Sequence, residues 1–240
     1  MRPDPLATQV AWACRILAAH GYEDLTLGHV SARRDEEQGV MWIKRKGVSL
    51  AEVSPGDVLR FPIDGDLESA HDMHLEAVLH TEVYRCRPDV RCVVHGHPVH
   101  ATALGAAHAD FAFLSHDSIL FKEGLASLEE VPEMIVRRSE GQAVAEALGA
   151  RSALLMRNHG VLLVGKDVPW AVLMGITLER AIQMQATAAS LGELRPVPDE
   201  LVEPLYDMKY RDAFMSEYWD AWIRELRRDG RDFDMPQDEA

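Results

Sequence analysis

Residues 74–98 read HLEAVLHTEVYRCRPDVRCVVHGHP. The first half, His74 to Cys86, has helical spacing, with Leu75, Val78, Leu79 and Val83 on one stripe. Pro88-Asp89 ends that helix. Val90 to Val94 is a short apolar run, the pattern of a buried strand, and Pro98 closes it. A helix that hands its chain directly to a buried strand makes this a mixed fold rather than a helical bundle or a β-sandwich.

Working outward, Leu6 to Ala19 (LATQVAWACRILAA) predicts an amphipathic helix with Gly21 near its C-terminal end. Extended pieces are expected at Leu25–Ala32, Met41–Lys44 and Val58–Ile63, with turns at Asp35–Gly39 and Asp64-Gly65. Helices are expected over Val99–Ala106, Gly141–Leu148, Val168–Leu191 and Glu203–Arg227, and a strand over Phe111–Phe121. Leu154 to Val164 has two apolar halves around Arg157-Asn158-His159-Gly160, which reads as a hairpin or a strand with a bent centre. Helices and strands mix without a regular βαβ repeat. The expected architecture is one α+β or three-layer α/β/α domain over 1–240 with a mainly antiparallel sheet and a helical extension from about residue 195.

The chain has 240 residues, 47% of them hydrophobic and 27% charged, enough apolar material for one large core. Its formal net charge of −14 disfavours nucleic acid and anionic membrane surfaces as partners. An anionic small molecule would need a local positive site. Dense basic runs occur at Lys44-Arg45-Lys46 and at Arg224–Arg231, the second diluted by Glu225 and Asp229. Cys14, Cys86 and Cys92 lack zinc-finger spacing and suit a reducing compartment. The opening MRPDPLATQV has no apolar signal region, and no apolar run nears the ~20 residues that span a bilayer. A cytoplasmic protein is expected.

The chemistry concentrates in four residues. His95-Gly96-His97 follows the β-branched run, so both imidazoles project from one face of a strand and can occupy two sites of one metal. Two ordinary histidines beside a turn would give the same pattern. His159 lies inside a segment that should be core; it is either a turn residue or the third imidazole that an open metal site needs. Glu76 starts the helix leading to His95, either as an exposed first-turn carboxylate favoured by the helix dipole or as an acid/base beside the metal. His80 stands one turn further along the same helix, where it would support the others.

Taken together, the pieces Thr26-Leu27-Gly28-His29-Val30-Ser31-Ala32-Arg33, Lys46-Gly47, Glu76-x-x-x-His80-x-x-x-Tyr84, Arg87-Pro88-Asp89, Val93-Val94-His95-Gly96-His97-Pro98 and Leu155-Met156-Arg157-Asn158-His159-Gly160 resemble the class II aldolase/adducin family. The resemblance runs from about Ala7 to about Leu191. It implies that His95, His97 and His159 bind one divalent ion (zinc, manganese, cobalt or iron) and that Glu76 is the catalytic carboxylate. It also implies a homotetramer with sites at subunit interfaces, and leaves open which of Tyr206, Tyr210 and Tyr218 reaches a neighbouring site.

Departures from the family's sugar-phosphate aldolases are local. Their phosphate-binding asparagine is replaced by His29, and a Ser-Ser pair by His74 and Leu75. The position of their proton-donating tyrosine is taken, by matched spacing, by His116, and Lys44-Arg45-Lys46-Gly47 stands where a Thr-Pro-type segment precedes the glycine. These changes resemble the family's aromatic decarboxylase branch, which acts on substrates such as 3,4-dihydroxyphthalate or a hydroxymethylpyridine dicarboxylate. The expected site is thus Glu76 and His116 for proton transfer, with Thr26, His29, Ser31, Arg45, Gly47 and His74 binding substrate. The second carboxylate is expected to pair with Arg45, Lys44 or Lys46, with Arg45 preferred because its planar fork suits a carboxylate. The proton donor is Glu76 or His116, since a carboxyl beside a metal and a desolvated wall can be tuned toward neutral pH, as can an imidazole. The alternatives are a true aldolase on a hydroxy-carbonyl substrate and a non-enzymatic binding module of the adducin type.

Overall fold

The computed structural model describes residues 3–107, 109–131 and 134–233. Helix α1 (Pro5–Leu17) begins where the Asp4 carboxylate accepts from the Leu6 N–H. It passes into a π-helical turn, Ala18–Tyr22, that stops at Gly21 with φ 95°. Strands β1 (His29–Ala32), β2 (Val40–Lys44) and β3 (Val58–Pro62) form an antiparallel meander. A 3-10 turn at Leu75–Ala77 leads into α2 (Val78–Cys86), then β4 (Cys92–Gly96) and α3 (Val99–Gly105). After β5 (Ala126–Leu128) come α4 (Arg138–Leu148), the hairpin β6 (Ala153–Met156) and β7 (Gly160–Gly165), and the helices α5 (Val168–Leu191), α6 (Asp199–Lys209) and α7 (Asp212–Arg228).

The seven strands lie in the order β3-β2-β1-β4-β7-β6-β5, antiparallel except for β5 beside β6. Alternation divides each strand between two cores. Val30, Ala32, Cys92 and Val94 face α1 and α5, whereas Met41, Ile43 and Val93 face α2 and α4. The result is three layers, α/β/α. No helix among the described residues is long and apolar enough to cross a membrane.

The register of β1 on β4 pairs His29 with His95 and Ser31 with Val93. His29, Ser31 and His95 therefore point to the α2/α4 side, on positions that apolar residues fill elsewhere in the sheet.

Three expected elements differ. Phe111–Phe121 contains no strand, only a 3-10 turn at Ser118–Phe121. Its backbone is held by side chains instead: Gln185 of α5 accepts from the Ala112 N–H and donates to the Asp110 carbonyl. Glu203–Arg227 is two helices, because Tyr210 leaves helical geometry to bury its ring and to donate its hydroxyl to the His116 carbonyl. Leu75 falls off the apolar stripe of α2 and is 64% exposed, since the 3-10 turn rotates it outward. The three-residue edge strand β5 has no periodic signal in sequence.

Candidate functional site

At the end of β4, three imidazoles converge. His95 is the penultimate residue of β4, His97 follows the strand, and His159 comes from the tight β6–β7 turn. That turn works because Asn158 adopts φ 57°, a left-handed conformation that asparagine tolerates, and because the His159 N–H bonds the Met156 carbonyl. Gly160 is required by close approach: a Cβ there would lie 2.5 Å from the His97 ring and 2.6 Å from the Gly96 carbonyl. Gly96 makes room for the Tyr22 ring.

Ring centroids are separated by 4.9 Å (His95–His97), 5.1 Å (His95–His159) and 5.5 Å (His97–His159). One ligand atom from each lies within 4.8 Å of the others. Hydrogen bonds fix two of the tautomers. His95 Nδ1 donates to the Val161 carbonyl at 3.0 Å, which leaves His95 Nε2 buried without a protein hydrogen-bond partner. His97 Nδ1 lies 2.8 Å from the Asp24 carboxylate. A ring nitrogen tied to carbonyl or carboxylate leaves the other as a lone-pair donor, the arrangement typical of histidine metal ligands. A buried, orphaned imidazole nitrogen facing two others fits a divalent cation.

Glu76 sits on the 3-10 turn before α2. Its Oε2 is 3.5 Å from both His95 Nε2 and His159 Nε2, and its Oε1 accepts from the Ile135 N–H at 2.9 Å. Burial pushes this carboxyl upward, but the imidazoles of His159 and His95 outweigh it and hold Glu76 well below the usual carboxylate range.

A cavity of about 370 Å3 opens beside it, lined by Thr26, Leu27, Gly28, His29, Lys46, Gly47, His74, Leu75, Glu76, His95, His97 and Met134. One wall is polar and the mouth is apolar, with Leu27, Leu75 and Met134 about half exposed or more. Behind His74 lies Lys44, fully buried, its Nζ 3.1 Å from His74 Nε2 and bonded to the carbonyls of Thr26 and Arg45. The same His74 Nε2 lies 3.2 Å from the Arg45 carbonyl, so this nitrogen faces both an ammonium and a backbone acceptor. Burial lowers Lys44 to about 8, and burial together with Lys44 lowers His74 to about 3.

Of the residues expected from sequence, Thr26, His29, Gly47, His74, Glu76, His95, His97 and His159 gather here. Three do not. Arg45 follows the last residue of β2 and reaches outward to Asp72; the basic run meets the cavity through Lys46 instead. Ser31 is fully buried behind the cavity wall, bonded to His80 and Tyr84. His116 is held by Tyr210 beside a turn that packs with α5 and α6 on the other face of the sheet, so within one chain it is remote from Glu76. Tyr206 and Tyr210 pack against each other on that same side, their rings tilted by 48° with centroids 5.5 Å apart. Asp24 is a contributor that sequence reading passed over, because it resembles any loop carboxylate; Lys44, weighed there as a carboxylate partner, is instead buried behind His74.

A 3,4-dihydroxyphthalate decarboxylase from Arthrobacter keyseri is 31% identical over 240 residues, covering 91% of this chain and 92% of that protein. A second protein of that name, from a Terrabacter species, is 32% identical over 203 residues, covering 76% and 81%. The crystal structure of an aldolase II superfamily protein from Pseudomonas syringae superposes with a TM-score of 0.82 at 26% identity, over 95% of this chain and 94% of that one. The family described as "Class II Aldolase and Adducin N-terminal domain" matches residues 8–186. With three quarters of its length matched and the histidines and glutamate of the site inside that span, the chain belongs to the class II aldolase/adducin family.

Proposed function

We propose that this protein is a metal-dependent carbon–carbon lyase that decarboxylates a hydroxylated aromatic dicarboxylate. The observation that carries the reading is the composition of the cavity: His95, His97 and Glu76 at its floor with His159 clustered beside them, the imidazoles of His29 and His74 on its wall, Lys46 at its rim, and Leu27, Leu75 and Met134 around its mouth. Flat apolar flanks suit an arene, and N–H donors with a lysine suit carboxylates. The two dihydroxyphthalate decarboxylases among its relatives support the same substrate class.

His95, His97 and His159 would hold the divalent ion, which when bound supplies Lewis-acid stabilisation of negative charge on a substrate hydroxyl oxygen. The protein's own groups move the proton. Glu76, ionised, takes the proton of the substrate hydroxyl and returns it to the ring carbon that bears the departing carboxylate. The C–CO2 bond then breaks, and its electron pair restores the aromatic ring as a phenolate. One proton from water completes the product, so the net change is uptake of one proton and loss of CO2. His29 and His74 orient the substrate oxygens, and Lys46 pairs with the second carboxylate.

Residues 1–240 act as one catalytic unit in this reading, with α6 and α7 as its C-terminal extension, in a cytoplasmic homotetramer. His116 contributes to proton transfer only if a neighbouring subunit brings it to the site. The test is a screen for CO2 release from hydroxyphthalates and hydroxypyridine dicarboxylates, beside aldehyde release from L-fuculose 1-phosphate and L-ribulose 5-phosphate, with elemental analysis of the wild type and of His95→Ala, His97→Ala and His159→Ala. Each substitution should remove the metal and nearly all turnover while the fold persists. Faster turnover of a sugar phosphate than of any aromatic acid overturns the decarboxylase reading in favour of an aldolase.

A further inference from the structure

Behind the cavity wall runs an unbroken chain of four buried polar side chains. Tyr84 Oη is 2.8 Å from Ser31 Oγ, Ser31 Oγ is 2.6 Å from His80 Nδ1, and His80 Nε2 is 2.6 Å from His29 Nδ1. All four residues are at most 2% exposed. His29 alone of the four lines the cavity.

Counting hydrogens gives this chain a direction. The phenol of Tyr84 has one proton to donate, and among the described residues the side-chain acceptor at its oxygen is Ser31 Oγ. The Arg33 guanidinium stacked 4.6 Å from the Tyr84 ring has donors only. Were Ser31 to donate to Tyr84, the phenol proton would be left buried and unpaired. Tyr84 therefore donates to Ser31, and Ser31 donates its single proton to His80 Nδ1. His80 carries its proton on Nε2 and gives it to His29 Nδ1. Nδ1 of each imidazole accepts a hydrogen bond and so carries no proton, which makes both rings neutral. His29 is left with its proton on Nε2, the nitrogen free for the cavity.

We propose that Tyr84, Ser31 and His80 are positioning residues whose one-way hydrogen bonding fixes His29 as a neutral Nε2–H donor to a substrate oxygen and keeps it from coordinating metal. The second half of this statement resolves an ambiguity in the site. His29, Glu76 and His95 also bring ligand atoms within 4.8 Å of one another, so two overlapping sets could hold an ion. A protonated Nε2 cannot ligate, which directs the ion to His95, His97 and His159. The first half rests on the proposed reading of the cavity as a site for an anionic oxygen ligand; the tautomer itself does not.

The experiment uses the full-length protein loaded with zinc and labelled with 15N at histidine, the His29 signals being assigned by their loss in His29→Gln. The wild type should show one tautomer at His29, with Nε2 protonated and Nδ1 bare; a proton on Nδ1 overturns the proposal. Ser31→Ala removes the polarising hydroxyl and should shift His29 toward a mixture of tautomers with unchanged metal content. With about half of the molecules competent, affinity for 2-hydroxybenzoate should then fall about twofold, against a loss of about tenfold or more in His29→Phe. A pure Nε2–H tautomer in folded Ser31→Ala shows that the chain does not set the state of His29 and also overturns the proposal. Should Ser31→Ala fail to fold, the wild-type spectrum still decides. Absence of CO2 release from every aromatic acid would defeat the proposed reaction without altering the tautomer result.

Discussion

His97 Nδ1 lies 2.8 Å from the Asp24 carboxylate, across 73 positions of sequence. Asp24 sits on the loop between the π-helical turn and β1, and its carboxylate is 37% exposed. A carboxylate at this place holds the His97 ring in one orientation and would raise the basicity of the nitrogen opposite for the metal proposed above. Asp24→Asn should weaken metal affinity by about 10–100-fold, the usual scale for such partners, with the protein still folded. A competition titration against a chelator measures it. Unchanged affinity would show that Asp24 is only a surface partner of His97.

Glu76→Gln should retain bound metal and lose turnover by about 10²–10⁴, the scale of general acid–base catalysis. Glutamine keeps the acceptor for the Ile135 N–H, so the loop that carries Ile135 stays in place. Elemental analysis with steady-state rates separates the two effects. Near-normal rates would reduce Glu76 to an anchor for that loop.

Much of this site is legible in sequence because it depends on short spacings. His95 and His97 are two residues apart on a strand that the apolar run before them announces, and Asn158-His159-Gly160 carries its turn chemistry openly. What stays hidden depends on register and on which way a face points. Nothing local says that His29 stands opposite His95; the pairing of β1 with β4 does. The orientation of the basic run is settled where β2 ends, with Lys44 buried and Arg45 turned to Asp72. Phe111–Phe121 has the composition of a strand but lies where α5 supplies the hydrogen bonds through Gln185, a tertiary contact that propensity cannot foresee.

Lys44 gives the fold a pH signature. Its ammonium is held at about 8 rather than 10.5 by burial, so between those values the unfolded chain binds more protons than the folded one. Stability then rises with pH through that window, relative to a variant lacking the group. The full span corresponds to about 3 kcal/mol at most. Lys44→Met should remove this rise. Denaturant unfolding of both proteins at intervals from pH 7 to about 10.5 provides the comparison, and parallel curves would mean that Lys44 reaches solvent in solution.

The last prediction concerns which cation meets the substrate. Arg45 suits a carboxylate better by shape, but its guanidinium faces Asp72, whereas Lys46 lines the cavity rim next to Gly47. Lys46 is exposed, so its pairing with a carboxylate is screened and worth about 0.2–1 kcal/mol, far less than a buried bidentate pair would give. Lys46→Met should therefore raise the KM for a dicarboxylate by only a few-fold, an effect that shrinks further as salt is added. It should leave a monocarboxylate analogue nearly unaffected, because that analogue lacks the group at the rim. Arg45→Met should change neither KM, since the ion pair it breaks lies on the outer surface. Steady-state kinetics of the two variants on the two substrates, at low and high salt, make the comparison. A strong, salt-insensitive rise for Arg45→Met alone would mean that the loop at Gly47 re-aims the guanidinium inward when substrate binds, and that the rim lysine has no part in recognition.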